Sequence, residues 1–459
     1  MNPRSPTSRP TPTPAALTDL ARRLAAEAPM LRKRPVREIS EVLGRTGERF
    51  LDDADELRRE ALDRLPDAAA LSPEMARVIL GGMARDWTRP RLDAWLDAEF
   101  RDPRCLDGLV DVAGRRLMAV GPALCTQIVS GSVPGVGVNA LLRSLVVKAP
   151  TLLKPGLGDV VLPELFARGL GEVDPGLARA VAVTYWPGGS VELERAALSM
   201  AESVVVYGSD ETVSAIRTLT PPTARLVAYH HRIGVAVVGR DALGDGEAGG
   251  AMGAVAAGGA GGATRAALEV ARAVAVFEQR GCVCPHLIFV EEGGVMAPRE
   301  FAQRVSDAFA RLATALPSAP LPLEEASAVP QLRGNAELWA GEGGDAVWHG
   351  GSDATWSVIY ESEARPGPAA VGRAARVRPI GDASKLAEAL APMGAHLQTV
   401  GFTGLGERAS AMCEALGRAG ASRVCELDAV SFPPPWWMHD GRGGLQDLVR
   451  WVELETSLA

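Results

Sequence analysis

What this sequence lacks narrows the field before any motif is considered. No stretch of its 459 residues approaches the ~18 consecutive apolar positions that a membrane-spanning helix needs. The opening residues, MNPRSPTSRPTPTPAAL, hold no apolar segment that a signal peptidase would recognise, so the cytoplasm is the expected location. Six cysteines without regular spacing do not make a disulfide framework; in a reducing compartment each is a thiol, a ligand or a nucleophile. An excess of positive charge is missing too. The formal net charge of −8 argues against a general grip on nucleic acid or anionic lipid, which depends on clustered Lys and Arg. A local basic pocket for a small phosphorylated ligand stays compatible with that balance. No internal repeat is visible.

What the chain does have is apolar substance. At 47% hydrophobic it fills more than one domain, since single cores rarely grow past ~250–300 residues. Residues 1–15, rich in Pro, Ser and Thr, are expected to be a disordered tail. Residues 16–113 read as helical: LTDLARRLAAEAPML, VREISEVLGRTGERFLDDADELRREALDRL and SPEMARVILGGMARDW space their apolar residues three and four apart. Ser72-Pro73-Glu74 has the form of an N-cap followed by proline in the first turn. From residue 114 short β-branched runs alternate with helical segments, which predicts crossover units and a mostly parallel sheet over 114–243. The Gly/Ala-rich stretch 244–265 reads as a linker. Beyond it the helical segment TRAALEVARAVAVFEQR and the strand LIFVE open a second α/β domain over 266–425, and a C-terminal segment, 426–459, carries three of the nine tryptophans.

The densest chemistry lies in GCVCPH, where Cys282, Cys284 and His286 are two apart. An extended backbone would put all three on one face. Structural zinc sites want a fourth ligand and favour Cys-x₂₋₄-Cys with a distant second pair, which nothing here supplies, so no metal is expected. Redox pairs leave two residues between the thiols, not one. Pro285 interrupts the run, and the preceding helix puts Cys282 in a turn. There a thiolate can face a cleft while N–H groups freed by the turn meet the oxyanion of an attacked carbonyl. An inert buried thiol fits the pattern equally well.

Other segments suit an anion or a cofactor. VPGVGVNALLRSL sets glycines between a strand and a helix without the full G-x-G-x-x-G spacing. In VVVYGSDETVSAIRTL a strand ends at Tyr207 and Gly208-Ser209-Asp210 leads into a helix, a place that favours anions but is also an ordinary N-cap. LLKPGLGD puts Lys154 just after a strand, within reach of a ribose or phosphate or merely of solvent. Tyr229-His230-His231-Arg232 and His439-Asp440 are adjacent pairs that rarely share one ligand geometry. Trp436-Trp437 either walls a pocket or closes a core.

Taken in order, SVPGVGVNALLRSLVVKAPTLLKPGLGD, VVVYGSDETVSAIR, YHHRIGVAVVGRDAL, FEQRGCVCP, LIFVE and FPPPWWMHDGRGGLQDLVRWVELE resemble the bacterial LuxC-type fatty acyl-CoA reductase family of the aldehyde dehydrogenase superfamily, from about residue 90 to the end. The resemblance implies an α/β, aldehyde dehydrogenase-like fold: a Rossmann-like cofactor domain, a catalytic α/β domain and an additional helical N-terminal region. It implies NADPH as cofactor, with NADH as the alternative, and an acyl-CoA or acyl-carrier thioester as substrate. It also implies a homo-oligomer. Cys282 matches the catalytic cysteine, with Cys284 a bystander. Lys154-Pro155 match the ribose-contacting position, and Gly208-Ser209 the helix start facing the pyrophosphate. Leu157 stands where many NAD-preferring relatives carry a glutamate, so a 2′-phosphate is not repelled. Ala228 stands where hydrolytic members carry a general base, and Ser132 where the superfamily uses an oxyanion-binding asparagine. Phe432 and Trp436 are expected to wall the acyl pocket. The rivals are an aldehyde dehydrogenase, a carrier-protein thioester reductase, and a non-enzymatic member serving as a subunit of an acyl-transfer complex.

Overall fold

The computed structural model describes residues 11–244, 261–351, 355–364 and 372–455, and it divides into two compact units, 1–231 with 434–459 and 232–433. Most of the expected tail and most of the Gly/Ala linker, 1–10 and 245–260, lie outside the described residues. Their described ends belong to helices. The first helix starts at Pro14, with Thr13 capping it by accepting from the N–H of Ala16, and the helix after the linker starts at Gly262.

The first unit is built on a five-stranded, all-parallel sheet. Its order across the sheet is Val181–Val183, Thr151–Lys154, Cys125–Ile128, Ser203–Tyr207, Arg225–Tyr229. Chain order runs outward from Cys125–Ile128 in one direction and then restarts on its other side at Ser203–Tyr207. The boundary between those two strands is therefore the topological switch point, where loops leave the carboxyl edge in opposite directions and open a crevice. The strands are short and almost wholly buried, as expected of a parallel sheet covered on both faces.

The N-terminal helices are integral to this unit. Leu17, Ala21 and Leu24 pack with Leu124, Leu152, Trp186 and Leu193. Phe50, Trp87 and Phe166 form an aromatic cluster with ring centroids 5.3–6.2 Å apart, joining three helical segments. A separate three-stranded antiparallel sheet sets Arg115–Val120 between Val110–Val112 and the C-terminal strand Arg450–Leu454. The run RLMAV thus begins the expected α/β region in sequence but belongs to a different sheet. The C-terminal segment is held by Glu99, whose buried carboxylate accepts from the N–H groups of Gly444, Leu445 and Gln446 at 2.8–3.0 Å and from Trp95 Nε1 at 2.6 Å.

The second unit holds a seven-stranded sheet in the order Ala346–Gly350, Ser357–Glu361, Ala374–Ile380, Pro285–Glu291, Ile233–Val238, Leu397–Thr403, Arg423–Glu426. Only the first pair is antiparallel. The strand Ile233–Val238 lies inside this sheet, between Pro285–Glu291 and Leu397–Thr403, so the backbone changes units at His231/Arg232 and not at the residue 243 read from composition. The physical reason is pairing: two apolar strands separated by only three residues, Arg225–Tyr229 and Ile233–Val238, look alike in sequence, but only tertiary contacts decide which sheet each joins.

At the carboxyl end of the central strand, buried Glu291 accepts from Arg240 N and Nη2, Ala383 N and Arg408 Nη1 at 2.7–3.0 Å. Against the upward push of burial, these donors hold its carboxyl down at about 2. Folding therefore lowers this pKa. The stabilisation is complete above the ordinary carboxylate value of about 4.3 and is lost as pH falls toward about 2. We expect urea midpoints to show Glu291→Gln well below wild type near neutrality, with the gap closing as the pH is lowered through that window.

Candidate active site

The candidate nucleophile, Cys282, lies in the second unit. The helix Gly262–Ala275 stops before the predicted FEQR extension, because Phe277, Glu278 and Gln279 take φ of 60°, 50° and 62°. Three consecutive non-glycine residues in the left-handed region cost on the order of 1 kcal/mol or more each, and nothing in their types announces it. Buried polar contacts hold the turn in place. The Glu278 carboxylate accepts from Arg373 Nε and Nη2 at 3.1 and 3.0 Å, with both side chains buried, and Arg373 Nη1 donates to Leu316 O at 2.8 Å. Burial pushes the Glu278 carboxyl up and the Arg373 charge opposes it. Gln279 behaves as a surrogate strand: its Nε2 donates to Ala374 O and Pro285 O, and its Oε1 accepts from Ala374 N, all at 2.7–3.0 Å.

These contacts deliver the chain into a tight turn at 281–284 before the strand Pro285–Glu291. Cys282 occupies the turn and is half-buried, whereas Cys284 is fully buried, its thiol 3.3 Å from Val276 O and pushed up to about 12 by burial. The two sulfurs two apart therefore stand in different environments, as a bent backbone and not an extended one requires. Arg280, adjacent in sequence, is engaged by Glu325 at 2.9 Å. Phe432 meets Phe277 edge-on, ring centroids 5.3 Å apart, which seats it against the nucleophile turn. Among the described residues no group of three or more His, Cys, Asp and Glu is arranged to hold a metal ion.

The candidate cofactor-binding residues lie in the first unit, along the carboxyl edge of the five-stranded sheet. Lys154, Ile128, Val206 and Ala228 are opposite one another across four strands, and Tyr207 is opposite Tyr229. From that row the loops bearing Ser132, Pro155-Gly156-Leu157 and Gly208-Ser209 emerge at the switch point. Ser132 and Ser209 are exposed, and Ser209 caps the helix Asp210–Leu219. Lys154 is mostly buried, its Nζ 5.8 Å from the Tyr185 ring centroid, and burial lowers its pKa while Glu194 opposes the shift. Leu157 is 47% exposed.

Glycine makes two of these loops one body. A Cβ on Gly156 would lie 2.7 Å from Gly131 Cα, and one on Gly131 would lie 2.7 Å from Gly158 N, so neither position tolerates a side chain. Asp159, fully buried, accepts from Gly135 N and Gly137 N at 2.6 Å, capping the helix Val136–Val146 from the neighbouring loop. Burial pushes its carboxyl up to about 8 despite those two donors.

Sequence reasoning missed a third cluster on this edge. Tyr207, Tyr229, His439 and Trp437 stack with successive centroids 4.4–4.5 Å apart, and buried Arg143 donates to both tyrosine hydroxyls. Trp437 and His439 were the visible half of that signal; the partners lie more than 200 residues away. Trp436 sits under the Arg91 guanidinium, 4.3 Å from its centroid, in the first unit, whereas Phe432 belongs to the second. His230 pairs with Asp210 at 2.8 Å.

A family model described as acyl-CoA reductase (LuxC) matches residues 31–451. The chain belongs to that family. The match begins at residue 31 and so includes most of the helical N-terminal region. Among curated proteins, the chain is 21% identical over 422 residues to a long-chain acyl-protein thioester reductase of Aliivibrio fischeri, covering 91% of this chain and 82% of that one. It is 20% identical over 332 residues to the protein of the same description from Photorhabdus laumondii, covering 72% and 63%. Solved aldehyde dehydrogenases share the fold: a putative one, PutA from Anabaena variabilis, superposes with TM-score 0.70 at 13% identity over 98% of this chain and 95% of that one. An NAD-dependent benzaldehyde dehydrogenase from Corynebacterium glutamicum gives 0.71 at 14% over 97% and 91%. Family membership places this chain among the oxidoreductases.

Two measurements check the site. Gly156→Ala forces backbone apart at the loop contact and should cost about 1–3 kcal/mol, read from urea unfolding. In native protein treated with iodoacetamide, peptide mass spectrometry should find Cys282 and exposed Cys413 modified well before Cys284, which reacts only after unfolding.

Proposed function

We propose that this protein reduces an acyl thioester to an aldehyde through an acyl-enzyme on Cys282, with NADPH as hydride donor and NADH as the alternative. What carries the reading is the turn at Cys282: one half-buried thiol at the start of a strand, with its neighbour Cys284 turned into the core. The Cys282 thiolate attacks the thioester carbonyl, and the C–S bond to the carrier breaks with its thiolate leaving and taking a proton. The acyl group is then held as a new thioester. Ser132 and the Cys282 backbone N–H are the proposed donors to the transient oxyanion. A reduced nicotinamide supplies the hydride, two electrons that convert the acyl group to aldehyde, and Cys282 departs again as thiolate.

The carboxyl edge of the first sheet suits such a cofactor. Lys154 offers a cation beside a ribose or phosphate, the N-terminus of Asp210–Leu219 offers N–H groups behind Gly208-Ser209, and exposed Leu157 presents no carboxylate to a 2′-phosphate. The strand position aligned with the hydrolytic base also favours reduction. Ala228 brings no carboxylate, its carbonyl accepts from Arg442 Nη2 at 2.6 Å, and Tyr229 beside it is buried in the aromatic stack. An acyl-enzyme without a general base beside it survives attack by water long enough to be reduced. The proposed assembly is a homo-oligomer. Acyl-CoA is the proposed donor, and the description of the relatives as acyl-protein thioester reductases supports a protein-borne thioester as the second reading.

Intact mass after exposure to acyl-CoAs of graded length and to acylated carrier protein, without reductant, tests this directly. One acyl adduct per chain is expected. It should be abolished by Cys282→Ala, kept by Cys284→Ala, and discharged by NADPH with release of aldehyde. No adduct from any donor, with NADPH oxidation unaffected by Cys282→Ala, would instead support the non-enzymatic reading.

A further inference from the structure

We propose that Arg423 is a positioning residue for the nucleophile, a fixed and half-buried cation at the amino edge of the second sheet that holds the Cys282 sulfur as a thiolate. This rests on the reading of Cys282 as the acylated residue and adds the group that activates it.

Register supplies the geometry. Arg423 is opposite Thr399, Thr399 is opposite Gly234, and Gly234 is opposite Pro285, so the four form a row across neighbouring strands. Cys282 precedes Pro285 by three residues. The turn leans along this row toward Arg423: a Cβ on Gly234 would lie 2.5 Å from Cys284 O and 2.6 Å from Val283 O, so the turn's carbonyls rest on that glycine. The guanidinium is fixed in place, Nη1 donating to Val430 O at 2.8 Å and Nη2 to Ala429 O at 2.6 Å. Both of these acceptors are neutral carbonyls, and the bonds orient the group. Two residues beyond Val430, Phe432 packs against Phe277 of the left-handed turn. Arg423 thus braces the segment that covers the nucleophile turn as well as presenting charge toward it.

The electrostatics agree. Burial lowers the pKa of Arg423, and the charges of Cys425 and Cys282 oppose that shift. Attraction is mutual, so the same interaction favours the Cys282 thiolate. The other titratable groups around the turn are otherwise committed or disfavour a thiolate. Arg280 is bound to Glu325 and Arg373 to Glu278. Cys284 is a neutral thiol. Glu269 on the preceding helix is itself pushed up by burial, and Glu426 and Asp428 beyond Arg423 raise the neighbouring Cys425. His286 follows the turn on its strand. Cys425 lies two residues from Arg423 on the same strand and is the stronger of the two charge partners of that cation, while burial dominates its own raised pKa.

The test is the pH profile of iodoacetamide alkylation at Cys282 in the full-length protein, followed by peptide mass spectrometry, for wild type, Arg423→Gln and Arg423→Lys. Exposed Cys413 is the internal reference. The wild-type Cys282 midpoint should fall below that of Cys413. Arg423→Gln keeps hydrogen-bond donors but removes charge, and should raise the midpoint by about one pH unit and slow alkylation near neutrality about tenfold. Arg423→Lys, which keeps charge but loses the fork, should stay near wild type. If both variants leave the midpoint in place, or Gln does no worse than Lys, the role is only structural and the proposal is overturned. A wild-type midpoint no lower than that of Cys413 overturns it even if neither variant folds. An acyl adduct on Cys282 whose pH profile ignores Arg423 sinks this proposal alone; absence of any adduct in wild type sinks the functional reading.

Discussion

The turn that carries Cys282 stands where it does because Arg373 and Glu278 form an ion pair inside the protein. Taking both charges out of water is expensive, and removing either partner from such a pair costs about 3–5 kcal/mol because the other is left buried and uncompensated. Here the pair closes in two parallel bonds, and Arg373 spends a third on Leu316 O. Its effect is local and directional. It fixes Glu278 in a left-handed conformation that a solvated chain would leave, and Gln279, bonded to both neighbouring strands, extends the same constraint by one residue. The helix ends, the chain reverses, and a thiol that would otherwise continue a helical face is delivered to the amino end of a strand. Arg373 has a positive φ as well, so both ends of the pair carry backbone strain.

The first unit solves a different problem by different means. A flexible dinucleotide needs loops that stay in place when it binds, and the loops at the switch point are locked to each other through backbone instead of side chains. Glycines at 131, 156 and 158 allow main chains to touch, and Asp159 stitches the result to a helix N-terminus. The position proposed for the oxyanion donor and the one proposed for the ribose therefore share a single rigid element. Charge there is carried by groups whose burial is offset by neutral acceptors or aromatic faces, as with Lys154 over Tyr185 and Arg143 between two tyrosine hydroxyls.

Much of this was legible beforehand, and the reasons are physical. Short β-branched runs between helices specify parallel α/β architecture because crossover units have no other way to bury them. Ser72, Ser209 and the glycine-bearing loops were readable because caps and close backbone approaches demand particular residue types. The assignment of Ile233–Val238 to the second sheet was not readable, nor was Arg115–Val120 joining the C-terminal strand, since strand partners leave no local trace. The stack of Tyr207, Tyr229, His439 and Trp437 was hidden for the same reason.

By itself, then, the sequence determined the fold class, the family pattern, and which thiol stands between a helix and a strand, because these follow from periodicity, turn chemistry and the order of motifs. Tertiary structure alone decided how the two cysteines differ. Cys282 and Cys284 are identical in chemistry and two positions apart. What separates them is a left-handed turn held by residues 95 apart in the chain, which buries one sulfur against Val276 O and leaves the other at the surface of the turn. No local pattern encodes that difference, because the energy that maintains it comes from contacts the chain makes only once it is folded.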